Sequence, residues 1–242
     1  MSMKEFNALD GALLIDKPAG PTSHDIVDTV RQCYRIKKVG HCGTLDPAAT
    51  GLLTLLLGKA TKLSEKMMSD DKVYVGSMKL GETTNTFDAE GDIDETKPVS
   101  GLTLEALQEK ANDFLGDQLQ LPPMVSAIKI DGTPLYKLAR KGIEVERRKR
   151  FIHLYNFQIT EYEPPFAWFK VACTKGTYVR TLAHDLGQAL GCGAHLAGLR
   201  RTVSGKFKVS AATPLEELTT LSPDDLARCV VPMLQLSAAT ES

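Results

Sequence analysis

The residue most open to a chemical reading is Asp46. It stands in VGHCGTLDPAATGLLTLLL (39–57), beside His41 and Thr44 and among glycines at 40, 43 and 51. Glycine lets a ligand approach the backbone closely. The leucine-rich run that follows would hold such a loop rigid, as a preorganised site requires. An Asp before Pro is also a common turn-opening or helix-capping residue, so the motif alone leaves both readings open.

Spacing excludes several other chemistries. GLLTLLLGKAT imitates a phosphate loop, but six residues separate Gly51 from Gly58 where the motif has four, and Ala60 replaces the Ser or Thr. No Gly-x-Ser-x-Gly elbow occurs, and no second carboxylate lies close enough to Asp46 in sequence to make a glycosidase pair. The five cysteines, Cys33, Cys42, Cys173, Cys192 and Cys229, form no Cys-x-x-Cys pair. Cys192 with His195 is the one approach to a metal spacing. The set reads as reduced, structural thiols of a cytosolic protein, with no metal expected.

The elements that must position Asp46 are legible around it. GALLID (11–16) reads as a strand ended by the KPAGPTS turn. Ser23 is placed to cap a helix over 24–34 with Ile26, Val27, Val30 and Tyr34 on one face. LLTLLL between Gly51 and Gly58 reads as a buried strand, and KATKLSEKMMS as helical. KVYVGSMKLG (72–81) predicts a strand with Tyr74, Gly76, Met78 and Leu80 on one face. TLEALQEKANDFLG predicts a helix with Leu104, Leu107, Ala111 and Leu115 inward, closed by Gly116. FIHLYNFQIT and FAWFKVACTKGTYVR are strand-like, and TLAHDLGQALG is a helix with Leu182, Leu186 and Ala189 inward. Strands mixed with helices, without strict alternation, indicate an α+β fold.

The chain has 242 residues, 43% hydrophobic and 24% charged, enough to bury ~70% of the unfolded surface without disulfide or metal. No stretch reads as a signal peptide or a membrane span. Net charge is −1, but the charges are segregated. Seven basic and two acidic residues lie between Lys137 and Arg150, and six acidic and no basic residues between Glu82 and Glu95. Further basic groups fall at 31–38, 59–66 and 200–208. Such segregation can give a neutral protein a positive face, though each cluster taken singly also fits a solvated surface.

GHCGTLDPAATGLL (40–53) resembles the signature of the bacterial tRNA pseudouridine synthase B family, TruB. Four other segments, in the same order, are similar to motifs of that family: LLIDKPAGPTSHD (13–25), YVGSMKLGETTNTFDAEG (74–91), LPPMVSAIKIDGTPLYKLARKGIEV (121–145) and KGTYVRTLAHDLGQALGCGAHLAGLRR (175–201). The resemblance implies a pseudouridine synthase fold: a mixed, mainly antiparallel sheet flanked by helices, with an RNA-binding thumb at about 120–150. It implies isomerisation of uridine 55 in the T-loop of tRNA, without cofactor or metal.

By position, the resemblance makes Asp46 the catalytic carboxylate and Arg180 its charge partner. It makes Tyr74 the ring stacked on the flipped uracil, and Tyr178 and Leu199 the lining of the base pocket. His41 fills the space that the flipped nucleotide leaves, and Lys17 and Pro18 support the site. The basic thumb, 129–150, would clamp RNA phosphates. Cys42, Val125 and Asn85 depart from the residues common in the family, while Asp88 is retained. The expected organisation is a single catalytic domain over 1–242, with a short helical tail from 215 and no PUA domain. The expected protein is a cytoplasmic monomer with tRNA as its partner, no obligatory protein partner and no membrane association. Two other functions share the basic and aromatic features: a tRNA-binding and folding module, and a guide-RNA-dependent pseudouridylase. The pair Asp46 and Arg180 favours an enzyme over a pure binder.

Overall fold

The computed structural model describes residues 9–126, 129–130, 132–135, 138, 142–143 and 145–237. The chain forms two compact units: residues up to Tyr74 together with those from Arg200 onward, and Val75–Leu199. The boundary falls within two strands, β4 and β12, whose ranges are given below. None of the described helices is long and apolar enough to cross a membrane.

In the first unit, β1 (Gly11–Lys17) runs antiparallel to β3 (Thr50–Leu57), in register from Gly11↔Leu57 to Lys17↔Gly51. Both are apolar runs rather than alternating ones, because both faces are covered. Ala12, Leu14, Leu52 and Leu56 join Cys42, Met67 and Phe207 in one core. Between β1 and β3 come α1 (Ser23–Tyr34) and the short β2 (Val39–His41), which pairs with the far end of β3 as Val39↔Leu57 to His41↔Leu55. α1 buries Ile26, Val27, Val30 and Tyr34, as its spacing predicts. Its cap is Thr22 rather than Ser23: Thr22 Oγ1 accepts from Asp25 N–H and the Asp25 carboxylate accepts from Thr22 N–H, a reciprocal capping box.

After β3, a 3₁₀ turn (Gly58–Leu63) leads into α2 (Ser64–Met68) and then into β4 (Lys72–Leu80).

The second unit contains β4 from Val75 onward, followed by β5 (Glu82–Thr84), β6 (Ile93–Thr96), α3 (Leu104–Asn112) and β7 (Gly116–Gln120). α3 stops at Asn112. Leu107 and Ala111 are buried, but Leu104 and Leu115 are exposed, and Gly116 opens β7 instead of closing the helix. The short strands β8 (Lys129–Ile130) and β9 (Thr133–Pro134) pair as a hairpin across Gly132, whose φ of 79° suits the turn. The basic residues Lys137, Arg140 and Lys141 of the expected thumb lie outside the described residues.

β10 (Arg150–Glu163) pairs with β11 (Phe166–Cys173) and, over 150–154 only, with β7. Beyond the end of β7 the amide of Gln108 on α3 takes over. It donates to Phe157 O and accepts from Ile159 N–H, so the long strand keeps its edge groups satisfied. α4 (Val179–Ala189) buries Leu182 and Leu186, while Ala189 is exposed because the helix ends there. Gly187 is required where it sits: a Cβ would stand 2.2 Å from Ala194 N.

β12 (Ala194–Ser204) starts in this unit and returns the chain to the first, where Arg200↔Thr50 and Arg201↔Gly51 pair it parallel to β3. There β13 (Phe207–Lys208) pairs with β12, and β14 (Thr213–Pro214), α5 (Leu215–Leu218), α6 (Pro223–Cys229), β15 (Val230–Pro232) and α7 (Met233–Ser237) follow. β14 and β15 both pair with β1. The strands and helices are mixed as an α+β fold.

Candidate active site

The loop that carries Asp46 leaves β2 at His41 and enters β3 at Thr50. Its backbone is held residue by residue. Ser23 Oγ donates to Leu45 O at 3.1 Å and accepts from Leu45 N–H at 2.9 Å. Gly20 N–H donates to Pro47 O, and Ala49 N–H to Asp46 O. Lys17 is fully buried, and its ammonium donates to Pro47 O (3.0 Å), Ala49 O (2.7 Å) and Pro18 O (2.9 Å). Three carbonyls match the three protons of an ammonium. The KPAGPTS turn thus supplies Lys17, Gly20 and Ser23 as a cradle for the residues on both sides of Asp46.

The other side of the loop is held by Arg201, which is 1% exposed. Its Nε donates to Leu52 O at 2.7 Å and its Nη2 to Gly43 O at 3.1 Å. These carbonyls belong to the two limbs of the loop, so one planar guanidinium ties them together. Gly51 has φ 97°, and a Cβ there would stand 2.3 Å from Arg201 O. The neighbouring Arg200 makes a two-pronged ion pair with Asp16 at 3.0 and 2.6 Å. The double arginine is therefore not part of a solvated basic face: one member is buried and the other half-buried in an ion pair. A doubled Arg closing the apolar LAGL was the only sequence signal for this role.

Asp46 itself is half-buried at the surface of this cradle. His41, at the end of β2, is half-buried, and its Nδ1 makes no hydrogen bond. Burial, then the nearby charge of Arg201, holds its imidazole below the ordinary histidine range, so the ring is neutral at pH 7. Cys42 is buried, and burial pushes its thiol up to about 12, so it stays protonated. Tyr74 on β4 is 9% exposed.

In the second unit, Tyr178 is the N-cap residue of α4, with its backbone clasped by Gln120. Tyr178 N–H donates to Gln120 Oε1, and Gln120 Nε2 donates to Tyr178 O. Arg180 lies in the first turn, 5% exposed, with its guanidinium 6.0 Å from the centre of the Tyr178 ring. Its Nη1 donates to Asp88 Oδ2 at 3.2 Å in a buried ion pair. Asp88 is itself aimed by Thr86 Oγ1 and Glu90 N–H, both donating to Oδ1. From the sequence alone Asp88 carries no role at the site, although its acidic motif is visible.

Leu199 on β12 packs at Gly76, where a Cβ would meet Gly198 O at 2.6 Å and Leu199 Cδ1 at 3.3 Å. Arg147, in the segment expected to form a thumb, donates to Pro122 O. Among the described residues no group of three or more His, Cys, Asp or Glu is placed to hold a metal.

Comparison with known proteins places these motifs in a family. Residues 31–179 match the TruB family pseudouridylate synthase N-terminal domain, and 180–236 match the tRNA pseudouridylate synthase B C-terminal domain. A tRNA pseudouridine synthase B of Opitutus terrae is 51% identical over 227 residues, 94% of each chain. The same-named protein of Haemophilus influenzae is 43% identical over 97% of this chain and 79% of its own. Among solved structures, a chain from a Cbf5-Nop10-Gar1 complex is 30% identical with a TM-score of 0.74. The match covers 96% of this chain but only 63% of that one. Since the family model matches more than half of the sequence, and relatives well above 30% identity align along nearly all of it, the chain belongs to the TruB family of pseudouridylate synthases.

Proposed function

We propose that this protein is a tRNA pseudouridine synthase that isomerises uridine 55 of the T-loop, with Asp46 as its catalytic carboxylate. The relatives that align along most of its length are named tRNA pseudouridine synthase B, which supports the reaction class. The observation that carries the role of Asp46 is its setting. The backbone on both sides of it is fixed by Lys17, Ser23, Gly20 and Arg201, while its side chain stays partly open to solvent. A carboxylate held this way needs little reorganisation when a ribose is brought to it.

The reaction is balanced within the nucleotide. The N1–C1′ bond breaks, the uracil turns, a C5–C1′ bond forms, and the C5 proton is lost while N1 gains one. In this reading Asp46 acts at the ribose and base, and Arg180 serves as its charge partner, with Asp88 holding the guanidinium in place. Extruding the uridine costs a few kcal/mol. Stacking on Tyr74, at ~1–3 kcal/mol, offsets part of that. Tyr178 and Leu199 line the base, and neutral His41 takes the position that the base vacates. The thumb holds phosphates, and a cytoplasmic monomer suffices for the activity.

The test is Asp46→Asn, which keeps shape and removes one charge. It should abolish pseudouridine formation in a tRNA transcript and change RNA affinity only a few-fold, because affinity rests on phosphates and stacking. Pseudouridine made by the pure variant would remove Asp46 from its role. Activity of the wild-type chain alone, without guide RNA or added protein, separates this reading from a guide-dependent enzyme.

A further inference from the structure

Phe87, in the loop between β5 and β6, has a φ of 65°, in the left-handed region where a bulky side chain is strained. Among the described residues the other non-glycine with positive φ is Arg35, which ends α1, a place where that conformation is common. Phe87 ends no helix. Its N–H donates to Thr84 O, and its carbonyl accepts from Leu196 N–H on β12. Glycine would make the same two bonds without strain, so what phenylalanine adds here is its ring.

That ring stacks on His184 of α4, with centroids 3.9 Å apart and planes 21° from parallel. His184 makes no side-chain hydrogen bond among the described residues, and its Nδ1 is buried. Burial, against the opposing influence of Asp94, holds the imidazole below the ordinary histidine range, so the ring is neutral at pH 7. A strained backbone and an unpaired buried nitrogen both work against stability, and both occur at this one contact.

The contact lies one helical turn from Arg180. His184 is the fourth residue after Arg180 on α4, so the two share a face of the helix. Phe87 directly precedes Asp88, whose carboxylate accepts from Arg180 Nη1. The loop therefore meets α4 at two adjacent points, an ion pair and a ring stack. Thr84, Thr86 and Glu90 also hold Asp88, but they belong to the same stretch of chain around it. The stack ties that stretch to the helix carrying the arginine.

We propose that Phe87 and His184 are a positioning pair: their stack sets the Asp88 loop against α4 and so aims the Arg180 guanidinium. Neither is a catalytic residue, and both act through Asp88. The inference deepens the proposed function and rests on its assignment of Arg180 as the charge partner of the catalytic carboxylate.

The experiment measures single-turnover pseudouridine formation at saturating RNA, RNA affinity and Tm side by side. Phe87→Ala and His184→Ala each break the stack, and each should lower the rate roughly tenfold with affinity within about twofold. The double variant should lose no more than either alone, because both remove one contact. Phe87→Tyr and His184→Phe keep two stacked rings and should keep the rate. In an Asp88→Asn background Phe87→Ala should cost no further rate, although its effect on Tm persists. A merely structural role would not give that masking.

A wild-type rate in Phe87→Ala, or the same tenfold loss in the Asp88→Asn background, would overturn the proposal. So would equal losses in His184→Phe and His184→Ala, since the imidazole and not the stack would then matter. A second measurement needs no turnover. In the free protein, exchange of the Arg180 Nε–H proton with water, followed by NMR, should quicken in Phe87→Ala and in Asp88→Asn and stay unchanged in Phe87→Tyr. If that pattern holds while the wild-type protein makes no pseudouridine, the pair stands and the function proposed above fails. An exchange rate unmoved by Phe87→Ala refutes the pair whatever the turnover.

Discussion

Ser23 gives the sharpest test of how the Asp46 loop is held. Its hydroxyl both donates to and accepts from the backbone of Leu45, a residue 3% exposed. Ser23→Ala removes one oxygen and leaves a buried N–H and a buried carbonyl without that partner. Each such orphan costs about 1–3 kcal/mol, so the loss of stability should be roughly 2–5 kcal/mol. In a chain of this size 1 kcal/mol moves Tm by about 2–4 °C, so Tm should fall by roughly 5–15 °C.

Thr22→Ala, one residue earlier, removes an exposed helix cap worth about 0.5–2 kcal/mol, and among the described residues its hydroxyl bonds only to Asp25. It is the control for simple destabilisation. Thermal melts followed by circular dichroism give the first quantity. Single-turnover pseudouridine formation at saturating RNA, well below either Tm, gives the second. Ser23→Ala should lower the chemical rate at least tenfold, since small displacements at a reacting group are costly, while Thr22→Ala leaves it near wild type. A Ser23→Ala protein with wild-type Tm and rate, or equal rate losses in both variants, would refute the claim that this hydroxyl positions the loop.

Other perturbations follow from the same geometry. Asp88→Asn keeps the shape but removes the charge facing Arg180, a loss of about 1.5–3 kcal/mol; the single-turnover rate should fall by tenfold or more with RNA affinity little changed, and an unchanged rate would deny Asp88 its place. Asp185 makes no hydrogen bond or ion pair among the described residues, and burial raises its carboxyl to about 6 from 3.8. The folded state therefore holds that proton more tightly than the unfolded chain, and stability from this group falls as pH rises from about 4 to 6. Asp185→Asn should raise Tm at pH 7.5 and have little effect near pH 4, which melts at the two pH values decide. Replacing Arg148, Lys149 and Arg150 by neutral residues should flatten the salt dependence of RNA binding and spare the rate of bound RNA. An unchanged slope would mark that run as a solvated face.

Local pattern carried much of this structure. The continuous apolar runs of β1 and β3, the buried face of α1 and the Asp46 loop are all legible in the sequence, because each is set by spacing or by turn chemistry within a few residues. The misses involve partners far apart in the chain. Ser23 reads as a helix cap by type, but Thr22 caps the helix because Asp25 stands three residues on to complete the box, and Ser23 is drawn inward by Leu45. Arg201 reads as surface charge because nothing nearby announces the carbonyls of Gly43 and Leu52. Leu104, Leu115 and Ala189 have helical spacing yet lie exposed, since each falls at or beyond an end of its helix. Asp88 and Arg180 are 92 residues apart, and no local rule pairs them.

The way β12 meets β3 also bears on when the protein becomes competent during synthesis. The second unit is one uninterrupted stretch, and all its internal partners have been synthesised once residue 199 has been made. The first unit is split around it: β1 and β3 are made early, but Arg201 follows about 125 residues after Tyr74, and β15 later still. At roughly 5–20 residues per second that interval is about 6–25 s. Over it the nascent chain carries Asp46 in a loop that already has Lys17, Gly20 and Ser23 but lacks its guanidinium tie, and β1 lacks the neighbours on its outer edge. The Asp46 loop is thus expected to be completed only once Arg201 is available, after the inserted unit around Arg180 has had time to fold.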